Sequence, residues 1–260
     1  MRPRIVHHGI RRRRARRRRA LWTGGEVLVT VGVVLMLLVV HQLWWTNREA
    51  REGARRKVEA LERQWRQGGD DTTTTAVRDE PTTATPPSSA PSSAPAEPGR
   101  TADNTRSQPT WSQAYAILSI PRLHLRVPVA EGVGKQSVLN KGYVGHYPGT
   151  GQPGQAGNFA LAGHRNTHGE PFRYINRLAP EDTIQVETRS AVYTYAVDKT
   201  LRQTSARDSG VIRAVPRSTL HPNSGYTSPG YYITLTTCTP EYTSRYRLVV
   251  WGTLVSTRSR

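Results

Sequence analysis

One cysteine, Cys238, stands in 260 residues, beside only two methionines and two phenylalanines. A lone cysteine excludes an internal disulfide framework and any zinc site built from paired cysteines. It is left as an inert buried side chain or as a free reactive thiol. Acids are also scarce, with 19 Asp and Glu against 37 Lys and Arg. Their scatter disfavours the paired carboxylates of glycosidase chemistry. The chain has no Gly-rich phosphate loop, no calcium-loop pattern and no internal repeat.

What is present is unevenly placed. Of the formal net charge of +18, Arg2, Arg4, Arg11 to Arg14 and Arg16 to Arg19 supply ten positive charges before position 20, unopposed by any acid. Blocks of like charge commonly bind nucleic acid, but the neighbouring segment points to a membrane. Val27 to Val40 carries no charge, and beyond His41 and Gln42 the apolar run continues through Leu43, Trp44 and Trp45. As a helix, the 19 residues from Val27 to Trp45 rise about 28 Å, close to the thickness of a bilayer core. The tryptophans suit one interface and the arginines the other. By the bias of basic residues toward the inner face, the N-terminus is expected in the cytoplasm and everything after Trp45 outside. A cleaved signal peptide would need small residues after the apolar stretch, and His41 to Thr46 offers none.

The expected organisation is therefore a cytoplasmic Arg-rich tail over 1–26, a single-pass anchor over 27–45, and a charged stalk over 46–67. In the stalk Glu52 and Arg56, and Glu59 and Arg63, sit at helical i,i+4 spacing, which reads as a solvent-exposed helix. Residues 68–110 are rich in Thr, Ser, Pro and Ala and bury too little to fold, so a disordered tether is expected there. The head spans 111–260. Its texture is mainly all-β. Short β-branched and aromatic runs recur at Ala116 to Ile120, Val127 to Val129, Phe159 to Ala162, Thr183 to Glu187, Val192 to Val197, Tyr231 to Thr236 and Tyr246 to Val255. Pro171 to Leu178 reads as a short helix. Many short strands in one domain suit a closed or nearly closed antiparallel barrel.

The chemistry concentrates in Tyr231-Tyr-Ile-Thr-Leu-Thr-Thr-Cys-Thr-Pro240. An apolar strand leads to the cysteine and Pro240 stops it. Arg247 opens the next strand, where it can return beside Cys238, lower a thiol pKa and donate to a developing oxyanion. His164 closes another apolar strand, in Asn158-Phe-Ala-Leu-Ala-Gly-His-Arg-Asn-Thr-His-Gly-Glu-Pro-Phe172, with Gly163 before it permitting close backbone approach. Cys, His and Arg at strand ends make a thiol acyl-transfer set. Residue types and spacing leave a second reading open: a non-enzymatic envelope or scaffold domain with a structural cysteine, with His124, His146, His168 and His221 competing for any histidine role. An L,D-transpeptidase would carry glycine before its cysteine, where this chain has Thr237.

Thr234-Leu-Thr-Thr-Cys238 matches the TLxTC signature of sortases, Arg247-Leu-Val-Val resembles their arginine strand, and Ala162-Gly-His-Arg165 their histidine segment. Ile120-Pro-Arg-Leu123, Gly145-His-Tyr-Pro-Gly-Thr150 and Gly163 to Phe172 look most like class E, with class D next. The resemblance implies a sortase-type closed barrel of about eight strands with short helices. Cys238 would be the nucleophile, His164 the acid/base and Arg247 the oxyanion partner. Ala162, Thr236, Thr237, His146 and Tyr147 would line the substrate groove, shaped by the loop from Arg202 to Gly230. It further implies cleavage of LAxTG- or LPxTG-type sorting signals between Thr and Gly through a Cys thioester. The acyl group would pass to the amine of a peptidoglycan precursor. Implied partners are secreted proteins bearing that signal, the amine acceptor and the lipid bilayer, not nucleic acid. No cofactor or metal is required. His168 departs from the pattern, standing where class E relatives are expected to have tyrosine.

Overall fold

The computed structural model describes residues 8–70 and 113–260. The expectation of a tether over 68–110 falls outside these residues beyond position 70. The N-terminal part is one helix, α1 (His8–Asp70), in which the segments expected as anchor and stalk run together without a break. Among the described residues it is the one helix long and apolar enough to cross a membrane, with a mean hydropathy of 2.3 over its apolar window and none of that window buried.

The stalk is not the solvated rod its charges suggested. Ala50, Ala54, Val58 and Leu61 are buried, and with Trp65 they recur at helical spacing along one face. Val58 and Leu61 pack on Ala114, Ile117, Ala130 and Val138, with Leu139, Tyr143 and Trp65 at the margin. Gly142 makes the close approach possible: it adopts φ +79°, and a Cβ there would stand 2.7 Å from the Ala50 carbonyl. Arg126 bridges Glu62 of the helix and Glu187 of the barrel. The guanidinium of Arg260 lies 4.9 Å over the Trp65 ring. Small alanines concealed this stripe within a sequence dominated by Arg and Glu.

The head is a barrel of eight strands: β1 (Ala114–Ile120), β2 (Leu125–Glu131), β3 (Val144–His146), β4 (Gly157–Ala162), β5 (Thr183–Glu187), β6 (Ala191–Ser205), β7 (Tyr231–Thr239) and β8 (Tyr246–Ser259). They close in the order β1-β2-β3-β4-β7-β8-β6-β5, with β5 back on β1. Closure leaves no unpaired edge. Two seams correct the antiparallel expectation, since β2 with β3 and β4 with β7 run parallel. The latter needs the long excursion through β5 and β6, as parallel neighbours always need a crossover. Three-residue β3 was not anticipated; its Gly145 and lone Val144 carry little strand signal. Around Pro171 to Leu178 only Ile175–Arg177 coils, as a 3-10 turn, although Phe172, Ile175 and Leu178 are buried as their spacing suggested.

Inward residues of all eight strands fill the core, among them Leu118, Val129, Phe159, Leu161, Ile184, Tyr195, Ile233, Leu235 and Val250. Because the helix face is a separate apolar contact, its loss can be read apart from the barrel. Leu61→Ala is expected to cost about 2–4 kcal/mol of docking. In the full chain this would appear as faster hydrogen exchange at residues 50–65 while barrel amides keep their protection.

Candidate active site

β7 lies between β4 and β8, and those two neighbours bring the chemistry together. In the parallel ladder Ala162 pairs with Thr236. Two residues further, the same register sets His164 level with Cys238. In the antiparallel ladder Cys238 pairs directly with Arg247. Cys238 and Arg247 thus oppose each other on neighbouring strands, while His164 lies two residues past the end of β4, on the other side of β7; neighbouring strands are about 4.8 Å apart. Threonines stitch the seam. Gly163 N donates to the Thr236 carbonyl at 3.1 Å, Thr236 Oγ1 to the Leu161 carbonyl at 3.1 Å and Thr237 Oγ1 to the Gly163 carbonyl at 2.8 Å. Gly163 admits no side chain, because a Cβ would lie 2.7 Å from the Phe172 ring.

Cys238 is half-buried between buried Thr237 and Thr239. His164 is half-buried too; its Nε2 bonds Asn140 Oδ1 at 2.9 Å and its ring stacks on His168 at 5.2 Å. Burial pushes its pKa down to about 4, with His168 and Lys135 adding positive charge nearby. Arg247 Nη1 donates to the carbonyls of Ser244 and Tyr246, each at 3.0 Å. This holds the guanidinium on the turn that follows the cysteine.

Of the expected groove residues, Ala162, Thr236 and Thr237 sit at the seam, all under a tenth exposed. Half-buried Tyr147 shares a hydrogen bond with Thr236 Oγ1 at 3.1 Å. His146 is a different case. It has no exposed surface and packs 4.8 Å from Phe159. Its Nδ1 meets Glu131 Oε2 at 2.7 Å and the Tyr115 hydroxyl at 2.9 Å. Its Nε2 faces Thr150 Oγ1 at 2.9 Å and the Gly151 carbonyl at 3.1 Å. A ring so enclosed offers nothing to a substrate, and its work is to hold the 147–151 turn.

Three residues of consequence were not singled out from the sequence. Arg165 is buried, and its Nη1 donates to the Cys238 carbonyl at 3.2 Å and to Thr239 Oγ1 at 2.8 Å, with Glu241 at 3.7 Å. It fixes the backbone that carries Cys238. Asn140 had no motif to mark it. Asp208 organises the segment joining β6 to β7, which begins only after Ser205 because Arg202 to Ser205 extend β6. It accepts from Thr204 Oγ1 at 2.6 Å, Ser218 Oγ at 2.5 Å, and Thr219 N and Oγ1 at 2.9 Å each. Burial alone would raise its carboxyl pKa, but the bonds from Ser218, Thr204 and Thr219 outweigh it and hold the pKa below the usual value.

A cysteine with an arginine opposite it in the ladder and a histidine level with it by register is a residue set suited to nucleophilic attack on a carbonyl with acid catalysis of the leaving group. A barrel of this order with this seam defines a known class, and comparison identifies it. The sortase domain family matches residues 118–255. Sortase SrtE1 of Streptomyces coelicolor is 50% identical over 153 residues, covering 57% of this chain and 42% of the relative. Sortase D of Bacillus subtilis is 34% identical over 93 residues, 36% of this chain and 44% of the relative. The chain thus spans less than half the length of each of these relatives. The crystal structure of sortase E1 from Streptomyces coelicolor, which has a tripeptide in its active site, superposes with a TM-score of 0.54 at 51% identity, covering 57% of this chain and 92% of that one. The chain belongs to the sortase family, and its likeness is to class E.

Two outcomes follow from this geometry. His164 is expected to titrate near pH 4 by NMR rather than near its ordinary value of about 6.5. Between those values the unfolded chain binds a proton that the folded chain refuses. This contribution to stability is therefore full above pH 6.5 and lost as pH falls toward 4. Asp208→Ala strips four donors of their acceptor and is expected to destabilise the chain by about 2–3 kcal/mol, measured by chemical denaturation at pH 7. That difference should start to shrink as pH falls below about 4, where the unfolded carboxylate takes up a proton that the native one still refuses, and be lost once pH passes the lower native pKa.

Proposed function

We propose that the chain is a membrane-anchored transpeptidase that cleaves LAxTG- or LPxTG-type sorting signals between Thr and Gly and transfers the acyl group to a cell-wall precursor amine. The observation that supports this reading is the register across β4, β7 and β8, which pairs Cys238 with Arg247 and, carried two residues past Ala162 and Thr236, brings His164 level with Cys238. In this mechanism the Cys238 thiolate attacks the threonyl carbonyl, and the Arg247 guanidinium stabilises the oxyanion. His164, having taken the thiol proton, delivers it to the departing glycyl amine as the C–N bond breaks, leaving a thioester. The acceptor amine then attacks the thioester, gives its proton to His164 and releases the cysteine. A histidine pKa pushed down to about 4 leaves about one imidazole in a thousand charged at pH 7. Slow turnover follows from that scarcity.

The groove is assigned to Ala162, Thr236, Thr237 and Tyr147, and the reaction requires no metal or cofactor. The partners are secreted proteins carrying the signal, the amine acceptor and the bilayer. The arginine block and the apolar window of α1 support a single-pass anchor with the N-terminus in the cytoplasm and the barrel outside. A structural cysteine in a scaffold domain fits less well, because Cys238 is partly exposed at a strand end rather than enclosed.

The full chain in detergent or nanodiscs is expected to cleave a fluorogenic LAxTG peptide, to prefer it over LPxTG, and to lose all cleavage in Cys238→Ala. A folded chain whose Cys238 alkylates readily yet cleaves neither peptide would be a thiol enzyme of other specificity. A chain whose cysteine resists alkylation until unfolding would be a scaffold.

A further inference from the structure

The anchor helix grips the two segments that fix His164. The first is the 3-10 turn Leu139–Lys141. Its Leu139 packs on the apolar cluster that Val58 and Leu61 of α1 form with the barrel, and Gly142 at its end lies under the Ala50 carbonyl. Between them Asn140 presents Oδ1 to His164 Nε2 at 2.9 Å. An amide oxygen accepts only, so Nε2 carries the ring proton and the Nδ1 lone pair is left unprotonated.

The second segment is the turn after His164. His168, Gly169 and Glu170 adopt φ of 52°, 83° and 53° in succession, a left-handed run unfavourable for residues with a Cβ. It is held from α1. Asn47 Nδ2 donates to Glu170 Oε1 at 2.8 Å and Gly169 N to Asn47 Oδ1 at 3.3 Å. Arg51 Nη2 pairs with Glu170 Oε2 at 3.0 Å, and Arg51 Nε donates to the Gly169 carbonyl at 3.2 Å. Buried Glu170 also takes Arg173 at 2.7 Å. Arg173 reaches the Tyr242 hydroxyl at 3.1 Å and Glu241 at 3.9 Å, on the turn that follows Cys238. The segment closes where Phe172 N donates to the His164 carbonyl at 3.0 Å.

We propose that residues 47–65 of α1 are part of the active-site frame, with Asn140 as the positioning residue that selects the His164 tautomer and Asn47 and Arg51 as the clasp that fixes its loop. The proposal rests on His164 being the acid/base of the transpeptidase reading. It goes beyond that reading in making the membrane anchor a working part of catalysis.

The test uses the full chain in nanodiscs. Long-range nitrogen–proton NMR spectra, assigned with His164→Gln, distinguish an imidazole protonated at Nε2 from one protonated at Nδ1. The wild type is expected to show the Nε2–H form. Asn140→Ala is expected to give a mixed tautomer signal and a kcat lower by about tenfold, with KM within about twofold. Asn140→Asp, which keeps an acceptor oxygen, is expected to restore the Nε2–H signal. Asn47→Ala combined with Arg51→Ala alters only groups outside the barrel core, and is expected to move the His164 resonances and lower kcat. Unchanged His164 resonances in either Asn140→Ala or the double variant would overturn the proposal. Should the wild type cleave no peptide, the transpeptidase reading fails by itself, while the nitrogen signals still judge the positioning.

Discussion

Along the parallel ladder between β4 and β7, a fixed offset of 74 positions joins the two strands, and everything chemical in the head depends on it. The offset sets Gly163 against Thr237, His164 level with Cys238, and Arg165 on Thr239. A one-residue slip would turn every side chain of the strand to its opposite face. It would set apolar Leu235 outward and bring the buried Thr234 hydroxyl, now bonded to Asn158, into the core. Burial on one face and hydroxyl bonds along the seam therefore select the same register. The long crossover through β5 and β6 costs loop-closure entropy before this pairing forms, so the site is among the non-local features of the fold.

How much of this was legible from the sequence follows from which interactions are local. Seven strands announced themselves because alternation and β-branched residues are local signals. β3 did not, since three residues with a glycine in the middle show no period. Cys238, His164 and Arg247 stood out as candidates because each lies where an apolar strand ends or begins, and because their surroundings resemble a known family. Their convergence needed the parallel seam, which no residue states. Arg165 was hidden for a further reason: a guanidinium is expected at the surface unless paired, and its partners are a backbone carbonyl and a threonine 74 positions away. His146 misled in the opposite sense, since a histidine next to a tyrosine near a strand end reads the same whether it faces a cleft or a polar cluster inside the barrel.

The helix stripe shows how composition can conceal packing. Between Asn47 and Trp65 the chain is crowded with Arg and Glu, and pairs at i,i+4 spacing invite a solvated reading. Yet two alanines, a valine and a leucine on one face suffice, because Gly142 lets the backbones approach where larger residues would hold them apart. Charges at the margin then serve the same contact, as with Glu62 on Arg126 and Arg51 on Glu170. The contact is a cluster apart from the barrel core, so the attachment can loosen while the barrel stays folded.

That attachment also fixes an altitude. Asn47 and Arg51 follow Trp45 by two and six positions, a rise of about 3 to 9 Å along the helix axis. On the proposed anchor reading, with the tryptophans at a bilayer boundary, the loop bearing His164 would ride just above the headgroups. On the proposed transpeptidase reading, sorting signal and acceptor amine would both meet the site at the lipid surface, which suits a substrate still emerging from the membrane and an acceptor that travels on lipid.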